Sequence, residues 1–340
     1  MNSPALPQNP MRALVIEEIG KVAFNTVPDP AAAPGGVVVD LKAAALNHRD
    51  LWIKQGRYAG LRYPCIPGSD GAGIVSAVGP GVDAAWVGRE VVINPASDWG
   101  PNPAAQGKDF KILGLPHDGT LADRVAVPAD RLATKPEHLS WEEAAALPLA
   151  AVTAWRALMT RGRPVPGERV LVTGIGGGVA LFALKLAVAA GHETWVTSSS
   201  DEKIRRAVKL GARGGFRYDL SGWVEGALKE PGSFGVVIDS AGGPGFGGLL
   251  DVAAPGARIV FFGATKGNAP ELVLRKVFWK QLSILGSTMG HDSDWTAMLA
   301  FVAARQVKPV VSEVLPFPRG AEAFDLMEHG SQFGKLVLKL

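Results

Sequence analysis

The chain has 340 residues, 47% hydrophobic and 20% charged, a balance that allows two folded domains and excludes an intrinsically disordered chain. Its 35 Lys and Arg against 32 Asp and Glu leave a formal charge of +3, scattered rather than clustered, so no nucleic-acid partner is expected. The single cysteine, Cys65, excludes an internal disulfide and a cysteine-based zinc cluster, and no uncharged apolar run reaches the ~20 residues of a membrane span.

The first ten residues, MNSPALPQNP, have neither the basic start nor the apolar stretch of a signal peptide. They read as a disordered tail, and a cytoplasmic protein is expected. Residues 11–135 fall into short apolar runs between Gly and Pro turns: MRALVIEE, GGVVVDLKAAAL, GAGIVSAVG, REVVINP and ADRVAVPADRLATKP. Many short strands at this spacing predict a β-barrel-like domain. Residues 97–119 lack a period and hold four glycines, which predicts a surface lobe. Ser140 and Glu143 then form a capping box ahead of an Ala/Leu-rich helix.

From there strands and helices alternate. Strands are predicted at 170–173, 194–197, 236–239 and 258–262, with helices near 180–190, 202–210 and 221–229 between them. This βαβ order implies a doubly wound parallel sheet covered on both faces. A helix at 293–304, a strand at 310–315, a helix at 320–328 and a strand at 335–340 read as a return to the first domain. The expected division is residues 11–140 with 290–340 in a catalytic domain, and 141–289 in a cofactor domain.

The stretch RVLVTGIGGGVALFALKLAVAAGHETWVTSSSDEK, residues 169–203, is the most informative. A strand runs into a glycine-rich turn and then an apolar helix, so the backbone can approach a pyrophosphate at the helix N-terminus. The implied ligand is a dinucleotide held around Gly176, Gly177, Gly178 and Val179. The turn is irregular, with Ile175, Gly177 and Ala180 in the register of three glycines, and glycines kept for packing are the alternative. The second strand ends on Ser198 and Ser199, where an NAD-binding fold places Asp or Glu. Two like charges ~4 Å apart cost about 1 kcal/mol in water and about 4 kcal/mol at an effective dielectric of 20. Losing the acid removes that barrier to a 2′-phosphate, and Lys203 can supply a cation. NADP(H) is the expected cofactor, although the serines also fit a cap on the next helix with Lys203 solvated.

Taken with the motifs NHRD (47–50), PGSDGAGIVSAVGPGV (67–82), LAAVTAW (149–155), GIGGGVA (174–180), LGA (210–212), IDSAGG (238–243) and GKLVL (334–338), the chain resembles the medium-chain dehydrogenase/reductase superfamily, the zinc-containing alcohol dehydrogenase-like family, over nearly its full length. The resemblance implies a GroES-like β-barrel catalytic domain and a Rossmann cofactor domain. It is nearest to the zinc-independent quinone and enone reductase branch. Zinc-dependent members place Cys, a His-Glu pair and a later Cys where this chain has Asn47, Ser69-Asp70 and Leu149, so no metal is expected. The same resemblance puts Lys203 and Tyr218 on the 2′-phosphate and His48 toward the cofactor phosphates. It puts Thr153 near the nicotinamide, and Ala241, Gly263, Ala264, Thr265 and Ser287 along the cofactor. Lys335 reads either as a contact to a cofactor phosphate or as a surface charge at the start of a strand.

Without zinc, a simple carbonyl lacks the charge stabilisation that a metal provides. A conjugated acceptor spreads its charge, and a few hydrogen-bond donors suffice. Asn47 and Tyr58 are the expected substrate-orienting and donating residues, with Trp52 an apolar wall of the substrate pocket. The expected reaction is NADPH-dependent reduction of a quinone or α,β-unsaturated carbonyl. The alternatives are a metal-free alcohol or ketone dehydrogenase, an enoyl-thioester reductase, or a non-catalytic NADPH sensor. The apolar segment Leu282 to Ser287 reads as an exposed edge strand, and with the resemblance it predicts a homodimer.

Overall fold

The computed structural model describes residues 10–340. The expected tail lies outside the described residues except for Pro10, which is not tail but the first residue of strand β1 (Pro10–Glu18). β1 pairs antiparallel with β2 (Lys21–Pro28). β3 (Gly36–Ala45) is followed by the short helix α1 (His48–Lys54) and by β4 (Asp70–Val78) and β5 (Glu90–Ile93). The lobe expected at 97–119 holds a two-stranded ribbon, β6 (Ala96–Ser97) with β7 (Lys111–Ile112). β8 (Arg124–Pro128) and β9 (Leu132–Thr134) lead to helix α2 (Trp141–Ala146). Ser140 Oγ accepts from the Glu143 N–H at 3.2 Å while the Glu143 carboxylate accepts from the Ser140 N–H at 2.9 Å, the anticipated capping box.

Helix α3 (Pro148–Trp155) continues into a π-helical segment over residues 156–162. Parallel strands then alternate with helices: β10 (Val170–Val172), α4 (Gly178–Ala189), β11 (Thr194–Ser198), α5 (Asp201–Lys209) and β12 (Gly214–Arg217). They continue through α6 (Trp223–Lys229), β13 (Phe234–Asp239), α7 (Phe246–Val252), β14 (Ala253–Phe261), α8 (Leu274–Trp279) and β15 (Ser283–Gly286). The strand order is β12-β11-β10-β13-β14-β15, all parallel. Its first half runs away from β10 in one direction and its second half in the other, the order of a doubly wound dinucleotide-binding sheet. β10 is buried throughout, as a central parallel strand covered on both faces must be.

Helix α9 (Asp292–Ala304) precedes β16 (Val311–Pro316), α10 (Gly320–His329) and β17 (Lys335–Lys339). β17 pairs parallel with β16 and antiparallel with β3, which places it inside the seven-stranded sheet of the first unit. The described residues form two compact units, residues 10–149 with 308–340, and residues 150–307. The return to the first unit therefore begins at Lys308 rather than at residue 290. The reason is a buried ion pair: Arg156 donates at 2.7 Å to Asp294 on α9, and both side chains are 4% exposed. Thr160 Oγ1 and the His291 N–H donate to the same carboxylate. This anchors α9 in the second unit.

An uncompensated buried guanidinium is the expected result of Asp294→Ala, at a cost of about 3–5 kcal/mol. Urea unfolding followed by circular dichroism should show a correspondingly lower midpoint; an unchanged midpoint would remove this pair as the anchor of α9.

Candidate active site

In the first unit, α1 and the start of β4 carry a buried polar network that β17 completes. Asn47 precedes α1, and its backbone N–H is accepted by Asp50 Oδ2 at 2.8 Å, so Asp50 caps the helix start. Asp50 Oδ1 also accepts the Gly68 N–H at 3.2 Å. Gly68 adopts φ of +101°, and a Cβ there would stand 2.8 Å from the Leu121 backbone nitrogen, so glycine is required on both counts. Burial pushes the Asp50 carboxyl above its ordinary value, opposed by the charges of Arg49 and Lys335 and by those two N–H donors.

Asp70 is wholly buried. Its Oδ1 accepts the Leu149 N–H at 2.7 Å. Its Oδ2 accepts Asn47 Nδ2 at 2.9 Å and Lys335 Nζ at 2.7 Å. Lys335 also donates at 2.6 Å to Asn47 Oδ1. Lys335 is thus no surface charge: it is buried in the first unit, and its partners there are Asp70 and Asn47.

Arg49 holds the neighbouring position. Its guanidinium donates to Ser69 Oγ and to the Leu113 carbonyl, both at 2.7 Å, which ties α1 to the 97–119 lobe. Its Nε donates at 3.3 Å to the Tyr58 hydroxyl, and the Tyr58 ring lies 4.9 Å from the guanidinium carbon. Tyr58 therefore accepts from Arg49 and keeps its own O–H as a donor. Trp52 is half-buried and meets His48 edge-on at 4.9 Å between ring centroids. Desolvation, and then the charge of Arg57, hold the His48 imidazole below its ordinary range. A cleft of about 810 Å³ opens elsewhere in this unit, between Met11, Ile66, Asn94 and Arg131, and its lining does not include the Asp70 network.

In the second unit, the glycine-rich turn between β10 and α4 is pinned by its neighbours. The Gly174 N–H donates to Thr197 Oγ1 at 3.2 Å and the Ile175 N–H to the Thr197 carbonyl at 2.8 Å. Gly176 has φ of +137°, and a Cβ on it would come 3.0 Å from Lys203 Cδ and 3.3 Å from Nζ. Lys203 thus lies across the turn. Gly177 precedes α4 with open space where its Cβ would be, and no side chain caps the helix, so the first N–H groups of Gly178 and Val179 face the turn. Thr173 Oγ1 donates at 2.5 Å to Asp239 at the end of β13, whose other oxygen accepts the Gly242 N–H at 2.8 Å beside Ala241.

At the end of β11, Ser198 is buried and its Oγ accepts the Ser200 N–H at 3.1 Å, while Ser199 is exposed. Ser200 Oγ, in turn, caps α5 by accepting the Lys203 N–H. Tyr218 lies beside Ser199 and under Lys266, whose ammonium donates at 3.1 Å to the Tyr218 hydroxyl and stands 4.2 Å over its ring. Burial opposes ionisation of Tyr218, but Ser199 and Lys266 outweigh it and hold the phenol below its ordinary range. Lys266 escaped the sequence reading although it directly follows Gly263, Ala264 and Thr265; the signal was a cation in the loop after β14. Ser287 Oγ is buried without a hydrogen-bond partner. Thr153 is buried on α3 with its Oγ1 3.9 Å from Met289 Sδ. A glycine cradle, an orphaned hydroxyl and cations at the end of β11 fit a dinucleotide.

Residues 33–137 match the alcohol dehydrogenase GroES-like domain, and residues 178–304 match the zinc-binding dehydrogenase family. The zinc-type alcohol dehydrogenase-like protein YogA of Leptosphaeria maculans is 37% identical, across 93% of this chain and 94% of that protein. The acryloyl-coenzyme A reductase of Metallosphaera sedula is 30% identical, across 92% of this chain and 94% of its own. A crystal structure of an NAD-dependent alcohol dehydrogenase is 39% identical with a TM-score of 0.92, covering 97% of this chain and 100% of that one. The second family description implies zinc, and the residues here do not fit it. Asn47, Ser69 and Leu149 offer neither thiolate nor imidazole, and the Asp70 carboxylate is already taken by Lys335, Asn47 and Leu149. Among the described residues no group of three or more His, Cys, Asp or Glu is placed to hold a metal ion.

Proposed function

Because the chain belongs to the medium-chain dehydrogenase/reductase superfamily, an oxidoreductase family, we propose that it is a zinc-independent, NADPH-dependent reductase of quinones or α,β-unsaturated carbonyls. The observation that carries this reading is the replacement of a metal-suited donor set by an internally neutralised network beside a tyrosine with a spare O–H. Such a site has no Lewis acid for the localised alkoxide of a simple carbonyl. Its hydrogen-bond donors suit the delocalised anion of a conjugated acceptor. The acryloyl-coenzyme A reductase among the relatives is named for a conjugated substrate, which supports the same class. Asn47 orients the substrate, Tyr58 donates to its oxygen and Trp52 walls the pocket.

A bound nicotinamide dinucleotide would supply the hydride. The glycine turn from Gly176 to Val179 would hold its pyrophosphate, with Ala241, Gly263, Ala264, Thr265 and Ser287 along its length, Thr153 at the nicotinamide end and His48 toward the phosphates. Preference for the phosphorylated form rests on Ser198 and Ser199 in place of an acid, with Lys203, Tyr218 and Lys266 around them. A titration should show NADPH bound at least ~10-fold more tightly than NADH, a difference of about 1.4 kcal/mol. Lys203→Ala and Lys266→Ala should each weaken NADPH and spare NADH. Equal affinities in the native protein would refute the cofactor assignment.

The substrate class is read from rates. Native protein, purified without chelators and free of stoichiometric zinc by elemental analysis, should turn over enones or quinones faster than matched saturated ketones. Tyr58→Phe should lower kcat by about 10²-fold or more, the usual cost of one such donor, with NADPH affinity unchanged. Zinc at one per chain with activity lost on chelation, or faster turnover of saturated aldehydes, would return the metal-free alcohol dehydrogenase reading or a zinc enzyme to first place.

We also propose a cytoplasmic homodimer formed through β15. That strand has one neighbour in its sheet, β14, and leaves its outer edge unpaired. Just before it, α8 exposes Leu274, Phe278 and Trp279, the last 81% accessible. A two-fold contact would cover both features with one self-complementary patch. Light scattering at micromolar concentration should give a dimer that Trp279→Asp converts to monomer; a native monomer would reject this interface.

A further inference from the structure

The cleft of about 810 Å³ in the first unit has the size of a small-molecule site, and all of its lining falls between residues 11 and 131. Asn47, Tyr58 and Trp52 are not among its walls. Its apolar walls include Met11, Val15 and Ile66, which belong to one buried cluster. Pro28, Pro30, Pro34, Pro64, Pro95 and Pro128 also line it, and the fixed φ of proline gives walls that lose little freedom when a ligand enters. The acids and strong bases around this apolar space are not balanced. Lys111 is matched by Asp98 and Arg131 by Asp130. Arg124 faces two carboxylates, Asp29 and Asp40, and the Asp29 Oδ1 is buried with no donor among the described residues. Asp118 lines the cleft and accepts the Ile66 N–H at 3.0 Å, and among the described residues no Lys or Arg pairs with it. Its charge is felt inside: burial, followed by the charges of Asp118 and Asp50, pushes the thiol of Cys65 in the cleft wall up to about 11. The cleft is therefore apolar in its walls and negative in its surplus charge.

We propose that this cleft binds a small organic amine, its ammonium paired with Asp118 and its apolar body lying against Ile66 and the proline walls. The proposal rests on the geometry of the first unit alone and not on the reductase reading. An anion of the same shape meets the unmatched carboxylate of Asp118 and the surplus at Asp29 and Asp40, so it is disfavoured. A neutral molecule gains the apolar contact without the charge, and a bare inorganic cation gains the charge without the contact. Only an apolar amine uses both.

The test titrates the full-length protein by calorimetry at pH 7 with three probes of one shape: 4-phenylbutylamine, 4-phenylbutanol and 4-phenylbutyrate. The amine should bind most tightly and the carboxylate most weakly, at least about 10-fold apart, with the alcohol between them. Asp118→Asn keeps an oxygen for the Ile66 N–H and removes the charge, so it should cost the amine about 5-fold and leave the alcohol unchanged. Ala126→Trp, at an exposed position on β8 that lines the cleft, should weaken all three probes by taking up the space. Both substitutions are at exposed residues, and if one variant fails to fold the other decides. Equal affinities for amine and carboxylate overturn the proposal, as does an Asp118→Asn variant that binds the amine like native protein. Probes that bind Ala126→Trp unchanged sit elsewhere on the chain and overturn it equally. So does the absence of binding by all three at millimolar concentration.

Discussion

The buried carboxylate of Asp70 is the constraint on which the first unit depends. It stands at the start of β4, wholly removed from water, and it accepts hydrogen bonds from three separate parts of the chain: Asn47, Leu149 and Lys335. Lys335 is 265 positions away in sequence, so this contact ties the last strand of the chain to the strand that carries the site. Beside it, Asp50 caps α1 and holds the Gly68 turn, and Arg49 grips Ser69 and the 97–119 lobe. Two buried cations therefore face two buried acids. Each ion would be costly alone, and each is tolerated because its partners are in place. Energies within such a group are coupled, so no single member has a separable contribution.

How much of this was legible in the sequence follows from the range of the interactions. The alternation of apolar runs and helices, the glycine-rich turn and the capping box at Ser140 are local patterns, and the parallel sheet and the GroES-like fold came out as expected. β12, with the sequence GGFR, and α7, with FGGLLDV, are short and glycine-rich, and they gave no periodic signal. The boundary between the units moved from residue 289 to 307 because α9 reads like any helix. Its place is decided by Arg156 meeting Asp294, a contact between distant residues. The same holds for the site. Asn47 lies in the NHRD motif and was expected there, but the Lys335–Asp70–Asn47 network joins three segments that no local pattern connects. A lysine at the start of a strand looks like a surface charge until its partner is known.

The cofactor side shows the complementary case. There the residues expected for the cofactor gather around one strand end, where local patterns are enough to point to them. Ser198 and Ser199 differ in role although they are adjacent: one is buried as an acceptor for Ser200, the other exposed beside Tyr218. Ser198 is the last residue of β11 and Ser199 the first beyond it, so the division falls where the buried strand gives way to the turn before α5. Lys203 lies over Gly176, and Lys266 lies over Tyr218. The ring stabilises Lys266 through its face and its hydroxyl at once, fixing a cation that would otherwise be a mobile surface charge.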